Sequence, residues 1–191
     1  MKMSKIVMAA MAAAAVMGAK AATTPVEVSL VCTPFSIPWC DDVSGLRLNL
    51  LSGINRSVSG LDVGTFADIV KEKSAGLQLC GFYNHVGSAV GNLQVAGLLN
   101  RCDGDYKGLQ LASVYNEVGE TLAGASVAVM NVAKEVHGLQ AGVFNDAATL
   151  TGMQFGLVNF ASFAERGVQV GLVNVMPEAT IPVSFLVNIG F

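Results

Sequence analysis

The amino-acid sequence predicts an all-β repeat protein, and three features of the chain support this fold class. A similar block of residues recurs along the chain, as in GLQAGVFN at 138–145, GMQFGLVN at 152–159 and GVQVGLVN at 167–174. Apolar and polar residues alternate strictly within the block, and an Asn closes the alternating stretch. A short strand followed by a turn, repeated along the chain, is typical of a repeat array.

The repeat sets the domain organisation. Ten units follow one another with starts 14 to 16 residues apart. They begin at Gly45, Gly60, Gly76, Asn92, Gly108, Gly124, Gly138, Gly152, Gly167 and Pro182. These units leave no room for a second domain, so we assign 45–191 to one β-repeat domain and 22–44, which is rich in Pro, to an N-terminal capping segment.

The first residues, MKMSKIVMAAMAAAAVMGAKAA, resemble a secretory signal peptide. Lys2 and Lys5 precede an apolar run, and Ala19 and Ala21 supply the small residues of a cleavage site, so we expect 1–21 to be removed on export. Loss of Lys2, Lys5 and Lys20 changes the formal charge from −3 to −6. This acidic balance argues against nucleic acid as a partner, because phosphate binding needs clustered Lys and Arg.

The alternating stretch predicts a β-strand with one buried and one exposed face. Two apolar columns, which begin with Leu46 and Leu48 and recur in every unit, are expected to face the core. The polar column between them is expected to face outward, together with a column of small residues that includes Gly64, Cys80 and Ala96. The outward column gives a candidate binding face for a macromolecule, formed by Gln78, Gln94, Gln110, Gln140, Gln154 and Gln169.

An Asn follows the strand in most units and suits a turn, because Asn tolerates positive φ and its amide bonds nearby backbone. The predicted turn ladder comprises Asn84, Asn100, Asn116, Asn131, Asn145, Asn159 and Asn174. The units that begin at Gly76, Asn92 and Gly108 carry one more residue before the Asn. We expect a bulge or a loosened turn there.

Two architectures fit a strand that recurs at this spacing. In a parallel β-solenoid, equivalent residues stack on one another, and this favours uniform Asn and Gly ladders. A second apolar column after each Asn also favours a coil with two core-facing sides; its members are Val86, Cys102, Val118, Ala133, Ala147, Ala161 and Met176, then Val90, Tyr106, Leu122, Val136 and Leu150. The alternative is an antiparallel outer-membrane β-barrel, favoured by the high hydropathy and the ending SFLVNIGF. We expect the solenoid.

Four cysteines in an exported chain raise the question of disulfides. Cys32 and Cys40 flank a Pro-containing loop that one disulfide could close. Cys80 and Cys102 occupy different columns in successive units, so the register predicts two separate thiols.

The stretch VSLVCTPFSIPWCDDVSGLRLNLLSGINRSVSGLDVG, with the Gly-Leu-Gln units that follow it, resembles the bacterial surface repeat-containing proteins known from spirochaetes and many gut and environmental bacteria. The resemblance covers the mature chain, and GLRLNLLSG at 45–53 is its most specific part. It implies export and a β-repeat structure associated with the cell envelope. It carries over no catalytic or binding residues.

Residues with catalytic or metal-binding chemistry do not converge in the sequence. His85 and His137 are expected on different turns, and Asp103 with Asp105 offers too few oxygens for calcium. No serine stands in a nucleophile motif. We therefore expect a non-enzymatic envelope protein without cofactors, which acts as a scaffold or binds a protein or glycan at the surface, in the outer membrane or in the periplasm of a bacterium. A membrane barrel that acts as an anchor or narrow pore is the alternative.

Overall fold

A computed structural model describes residues 23–29, 36–37 and 42–190. The described residues form thirteen β-strands and no helix. The strands are β1 (Thr24–Ser29), β2 (Ser36–Ile37), β3 (Asp42–Asn49), β4 (Ser52–Gly64), β5 (Ala67–Cys80), β6 (Tyr83–Ala96), β7 (Leu99–Cys102), β8 (Tyr106–Ala112), β9 (Tyr115–Val127), β10 (Met130–Ala141), β11 (Phe144–Phe155), β12 (Val158–Val175) and β13 (Val183–Gly190). Within these ranges no helix is long and apolar enough to cross a membrane.

The strands wind into a parallel β-solenoid of about nine turns. From β3 to β12 each strand pairs in parallel with the strand one coil away. Parallel pairing of consecutive repeats confirms the solenoid prediction. The barrel alternative is wrong, because a barrel of this kind requires antiparallel neighbours.

The register stacks like residues on like. Gly60 pairs with Gly76, Leu61 with Leu77, and the same holds in later coils. The additional residue of the longer units lies in the corner before the Asn, as predicted. Leu111 pairs with Val127 and Tyr115 with Met130, so the longer coil carries three residues at this corner and its neighbour carries two.

The leading Gly of each unit permits the close stacking of coils. Gly124 and Gly138 have φ of 147° and 159°, in or at the edge of the region that favours glycine. A Cβ atom on Gly124 would collide with the backbone carbonyl oxygen of Gly108 in the preceding coil. The unit at Asn92 differs, because the preceding Gly91 takes the positive φ of 64° and its Cβ position is open.

The apolar core lies on the return half of the coil. Two inward columns of side chains form this core, as predicted for the apolar residues that follow each Asn. One column includes Val86, Cys102 and Val118, and the other includes Leu122 and Val136. The prediction for Val90 was wrong. Ala89 takes the inward position there and Val90 is 64% exposed.

Each end of the solenoid carries a strand that departs from the repeat. At the N-terminal end β1 pairs in parallel with β3, and β2 lies antiparallel on β1. At the C-terminal end β13 runs antiparallel to β12, so the last strand does not offer the parallel edge that a further coil would continue. The predicted signal peptide and both Cys32 and Cys40 lie outside the described residues.

Replacement of Gly124 by Ala should lower the free energy of unfolding by about 3 kcal/mol or more, because the new Cβ meets the backbone of Gly108. Gly91→Ala is the matched control, since it changes a glycine of positive φ in open space and should cost only about 1 kcal/mol. Urea unfolding followed by circular dichroism measures both. Equal losses in the two variants would show that coil stacking does not depend on the glycine column.

Candidate interaction surface

The predicted Gln face lies inside the coil. Gln78, Gln94, Gln110, Gln140, Gln154 and Gln169 are all fully buried. The alternation of apolar and polar residues was predicted correctly, but the inward and outward sides were exchanged: the Gln side chains face inward. The Gln column therefore cannot contact a partner while the coil is folded. Sequence reasoning placed the polar residues outward because an isolated buried amide is costly. A stack of amides removes that cost, because each amide bonds the next one.

The Gln side chains form two hydrogen-bonded ladders. Gln94 Nε2 donates to Gln78 Oε1 at 2.9 Å, and Gln110 Nε2 donates to Gln94 Oε1 at 3.0 Å. After an interruption at Ser126, Gln154 donates to Gln140 and Gln169 donates to Gln154, both at 2.8 Å. Ser126 instead donates to Asn131, and Gln110 Oε1 is left without a partner.

The Asn residues of the predicted turn ladder lie within strands just past the corner, and none of them takes a positive φ, so the turn prediction was wrong. Their side chains form a second buried ladder instead. Nδ2 of each Asn donates to Oδ1 of the Asn in the next coil, at 2.8 to 3.2 Å from Asn84 through to Asn174. Most of these amides also donate to a backbone carbonyl of the next coil, just before its corner, as Asn116 does to Val127. The ladder therefore ties each corner to the following coil, with its amides directed inward.

The two ladders run in opposite senses. Gln amides donate toward the N-terminal end of the solenoid and Asn amides donate toward the C-terminal end. Because the side-chain dipoles of the two columns oppose one another, long stacks of aligned amides accumulate little net dipole along the axis.

In the first coils a cluster of buried charges replaces the amide ladders. Arg47 occupies the Gln column and donates to Asp62 in the next coil at 2.7 Å. Asp68 occupies the Asn column and accepts from Asn49. Gly53 stands one coil earlier in that column and leaves the space that Arg47 and Asn49 fill. The charged residues Glu27, Arg47, Asp62 and Asp68 are at most 1% exposed.

Burial raises the pKa of both aspartates in this cluster. Desolvation raises the pKa of Asp62 to about 6, although the Arg47 charge opposes the shift. Desolvation and then the negative charge of Asp62 raise the pKa of Asp68 to about 7. Asp68 pairs in register with Asn84, and Asp68 Oδ2 and Asn84 Oδ1 both lack a hydrogen-bond partner. A proton on Asp68 therefore supplies a donor where the Asn column begins.

The two described cysteines are free thiols, as predicted. Cys102 lies inward and is fully buried, and desolvation raises its pKa to about 12. Cys80 was predicted to face outward, but it is only 7% exposed, and burial raises its pKa as well. Both raised pKa values disfavour the reactive thiolate at neutral pH.

The histidines and the acidic pair lie on the surface. His85 contacts Asp103 at 2.8 Å, and Arg101 bonds the same carboxylate at 3.0 Å. The pKa of Asp103 is lowered, first by its hydrogen bond from Arg101 and then by that from His85. His137 approaches Glu135 at 3.8 Å and lies in another coil. The described ranges contain no group of three or more His, Cys, Asp or Glu side chains that could hold a metal ion.

The columns predicted to form the core instead form part of the outer surface. The first runs through Leu46, Leu61, Leu77, Leu93, Leu109, Ala125, Leu139, Met153 and Val168, and the second through Leu48, Val63, Leu79, Val95, Leu111, Val127, Ala141, Phe155 and Val170. Their side chains are partly exposed; Leu61, for example, is 37% exposed and Phe155 is 40% exposed. The inward Gln column lies between them.

A third exposed apolar column runs along the corner that follows this strand. Its members are Leu51, Phe66, Phe82, Leu98, Val114, Val129, Val143, Leu157 and Leu172, each between 41% and 57% exposed. Phe66 and Phe82 stack with their ring centroids 4.9 Å apart. Sequence reasoning missed this column. The signal was present, because a large apolar residue stands one or two positions before nearly every Asn.

These three columns together form what we call the apolar face. The three columns themselves contain no charged and no polar side chain over nine coils, and the exposed Thr65 and Ser113 lie in the corner between the second and third columns. The exposed charges lie elsewhere on the coil, mainly on the return half; they include Arg56, Lys71, Glu72, Lys73, Asp103, Asp105, Glu120, Lys134, Glu165 and Arg166. The solenoid is therefore amphipathic across its axis: amide ladders lie beneath an apolar outer face, and an apolar core lies beneath a charged return side.

Comparison with known proteins returned no relative: no protein-family model matches the chain, and neither the curated proteins nor the solved structures include a match.

Two substitutions at adjacent positions of one coil test which face of the strand is buried. Gln94→Leu leaves Gln78 Oε1 without its donor and Gln110 Nε2 without its acceptor, and should lower the free energy of unfolding by about 2 to 4 kcal/mol. Leu93→Gln changes a partly exposed side chain and should cost less than about 1 kcal/mol. Denaturant unfolding of both variants gives the comparison. A larger loss for Leu93→Gln would place the Leu column inside.

The raised pKa of Asp68 predicts a loss of stability as pH rises. The folded state holds the proton up to about pH 7, whereas the unfolded state releases it near the ordinary value of 3.8, so the stabilising contribution falls between these values and is gone above about pH 7. Asp68→Asn supplies a permanent donor. This variant should be more stable than the unchanged chain at pH 8 by up to about 4 kcal/mol. Its stability should still fall as pH rises, but only up to about pH 6, where Asp62 titrates.

Thermal unfolding at pH 4 to 9 measures this effect, and Asp105→Asn serves as the control because Asp105 is exposed. If Asp68→Asn and the unchanged chain have parallel pH profiles, Asp68 is not the group that titrates.

Proposed function

We propose that this chain is a non-enzymatic, exported repeat protein of the bacterial cell envelope, which acts as a rigid scaffold and binds a protein partner through its apolar face. The observation that carries the proposal is the apolar face itself. Folded monomers rarely expose one continuous apolar patch of more than a few hundred Å². Three apolar columns, mainly of Leu, Val and Phe, over nine coils exceed that size.

The interior supports the scaffold role. The Gln and Asn ladders and the stacked glycines bond or pack every coil against its neighbours, so the outer columns are held at fixed spacing. A stiff periodic surface suits extended contact with another macromolecule. The apolar columns favour a protein over a glycan, because they offer no hydrogen-bonding side chains to sugar hydroxyls.

Export and the envelope location rest on the sequence. The apolar N-terminal stretch with its small-residue cleavage site, and the resemblance to bacterial surface repeat-containing proteins, both support them. Sequencing the N-terminus of the protein recovered from the envelope fraction of a bacterial host should give Ala22 as the first residue. An N-terminus that retains Lys2 and Lys5 would contradict export by this route.

The role of the apolar face can be tested in the same cells. Gently extracted envelope material, separated on a native gel, should show the unchanged chain in a complex larger than one chain. The variant Phe82→Ser with Leu98→Ser and Val114→Ser should migrate as a single chain, because it removes the centre of the corner column. The variant Lys71→Ser with Glu120→Ser and Lys134→Ser changes the charged return side and should leave the complex intact. Identical migration of all three proteins would refute binding through the apolar face.

A further inference from the structure

We propose that the partner of the apolar face is a second copy of this chain, packed face to face as a two-fold symmetric dimer. This inference rests on the proposed function, because it names the protein that the apolar face binds. Three properties of the face favour a second copy: its area, its period and the placement of its charges.

The area of the apolar face matches what a stable dimer buries. Nine coils at about 4.8 Å per strand give a length of about 40 Å, and three columns across a strand and a corner give a width of about 17 Å. The product is roughly 700 Å², close to the ~800 Å² that each partner contributes to a standard protein interface. A packed sheet face also needs no rearrangement of the backbone before it docks.

The period of the face selects its partner. Every column repeats once per coil, as the register of Leu61 with Leu77 and of Val63 with Leu79 shows. Side chains that repeat at one spacing interdigitate over a long distance only with a surface of the same spacing, as between the paired sheets of a steric zipper. A second copy of the chain has the same spacing because it has the same coils. A two-fold axis then places the same patch on both sides of the interface.

The charges argue against an anionic membrane as the occupant. The chain is net acidic, and the apolar face contains no Lys or Arg of its own. Interfacial membrane binding by an amphipathic surface depends on cationic residues that reach the lipid headgroups. On a dimer the same arrangement is favourable, because two uncharged faces meet and the charged return sides point away from each other into water.

The terminal strand β13 extends the apolar face by one strand, because Val187 pairs with Val170 and Ile189 pairs with Val168. Contact at the end of the solenoid is a separate mode of association that the experiment has to distinguish from contact along the face. Ile181, in the turn between β12 and β13, is 58% exposed at this end. End-to-end contact would bury much less surface than contact along nine coils, and a variant of Ile181 distinguishes the two modes.

Sedimentation velocity of the purified mature protein between about 1 and 100 µM tests the dimer, with circular dichroism as the check on folding. The unchanged chain should sediment as a dimer at low micromolar concentration. Leu98→Glu with Val114→Glu places charges midway along the corner column of the face and should weaken dimerisation at least 100-fold. Ala148→Glu with Ser162→Glu adds the same charge at exposed positions outside the face and should dimerise normally. Ile181→Glu, at the end of the solenoid, should also dimerise normally.

Several results would overturn the proposal. An unchanged chain that stays monomeric at 100 µM excludes a second copy, and flotation of that monomer with vesicles of phosphatidylethanolamine and phosphatidylglycerol would assign the face to lipid. Loss of the dimer in Ile181→Glu but not in Leu98→Glu with Val114→Glu would assign the contact to the end of the solenoid. A monomer in the purified state, combined with a face-dependent complex in envelope extracts, would leave the proposed function in place and require a different protein partner.

Discussion

Side-chain amides hydrogen-bonded from coil to coil are the interaction on which the rest of this structure depends. A coil of 14 to 16 residues encloses too little space for a large apolar core. Fully buried Gln and Asn fill about half of the interior, and each amide bonds an identical group in the neighbouring coil. Because the amides satisfy one another, the apolar residues of the same strand are not needed inside and become the outer surface.

The ladders also determine where buried polar atoms lack hydrogen-bond partners. Where identical residues stack, each donor meets an acceptor without further adjustment. Where the sequence changes, atoms are left without partners: Gln110 Oε1 at the step to Ser126, and Asp68 Oδ2 with Asn84 Oδ1 at the start of the Asn column. The charge cluster around Arg47 and Asp62 ends the ladders at the N-terminal side, and its protonation links the stability of the first coils to pH.

A solenoid with buried amides and an exposed apolar face has a functional consequence. The fold places rigid columns of mainly Leu, Val and Phe on one side and mixed charges on the other. The proposed binding of an extended macromolecular surface rests on this arrangement. In a dimer the faces would cover one another, and the charged return sides would become the surface of the assembly.

The sequence by itself determined the repeat, the strand in its units, the extra residue at the corner of the longer units and the separation of Cys80 from Cys102. These follow from periodicity, which is a property of the chain alone. Only the tertiary structure decided which face of the strand is buried. Alternation shows that two sides differ, but whether Gln94 or Leu93 lies inside depends on whether a neighbouring coil can bond the amide. That neighbour exists only once the chain has wound, so the buried Gln ladder and the exposed apolar face could not be derived from one strand at a time.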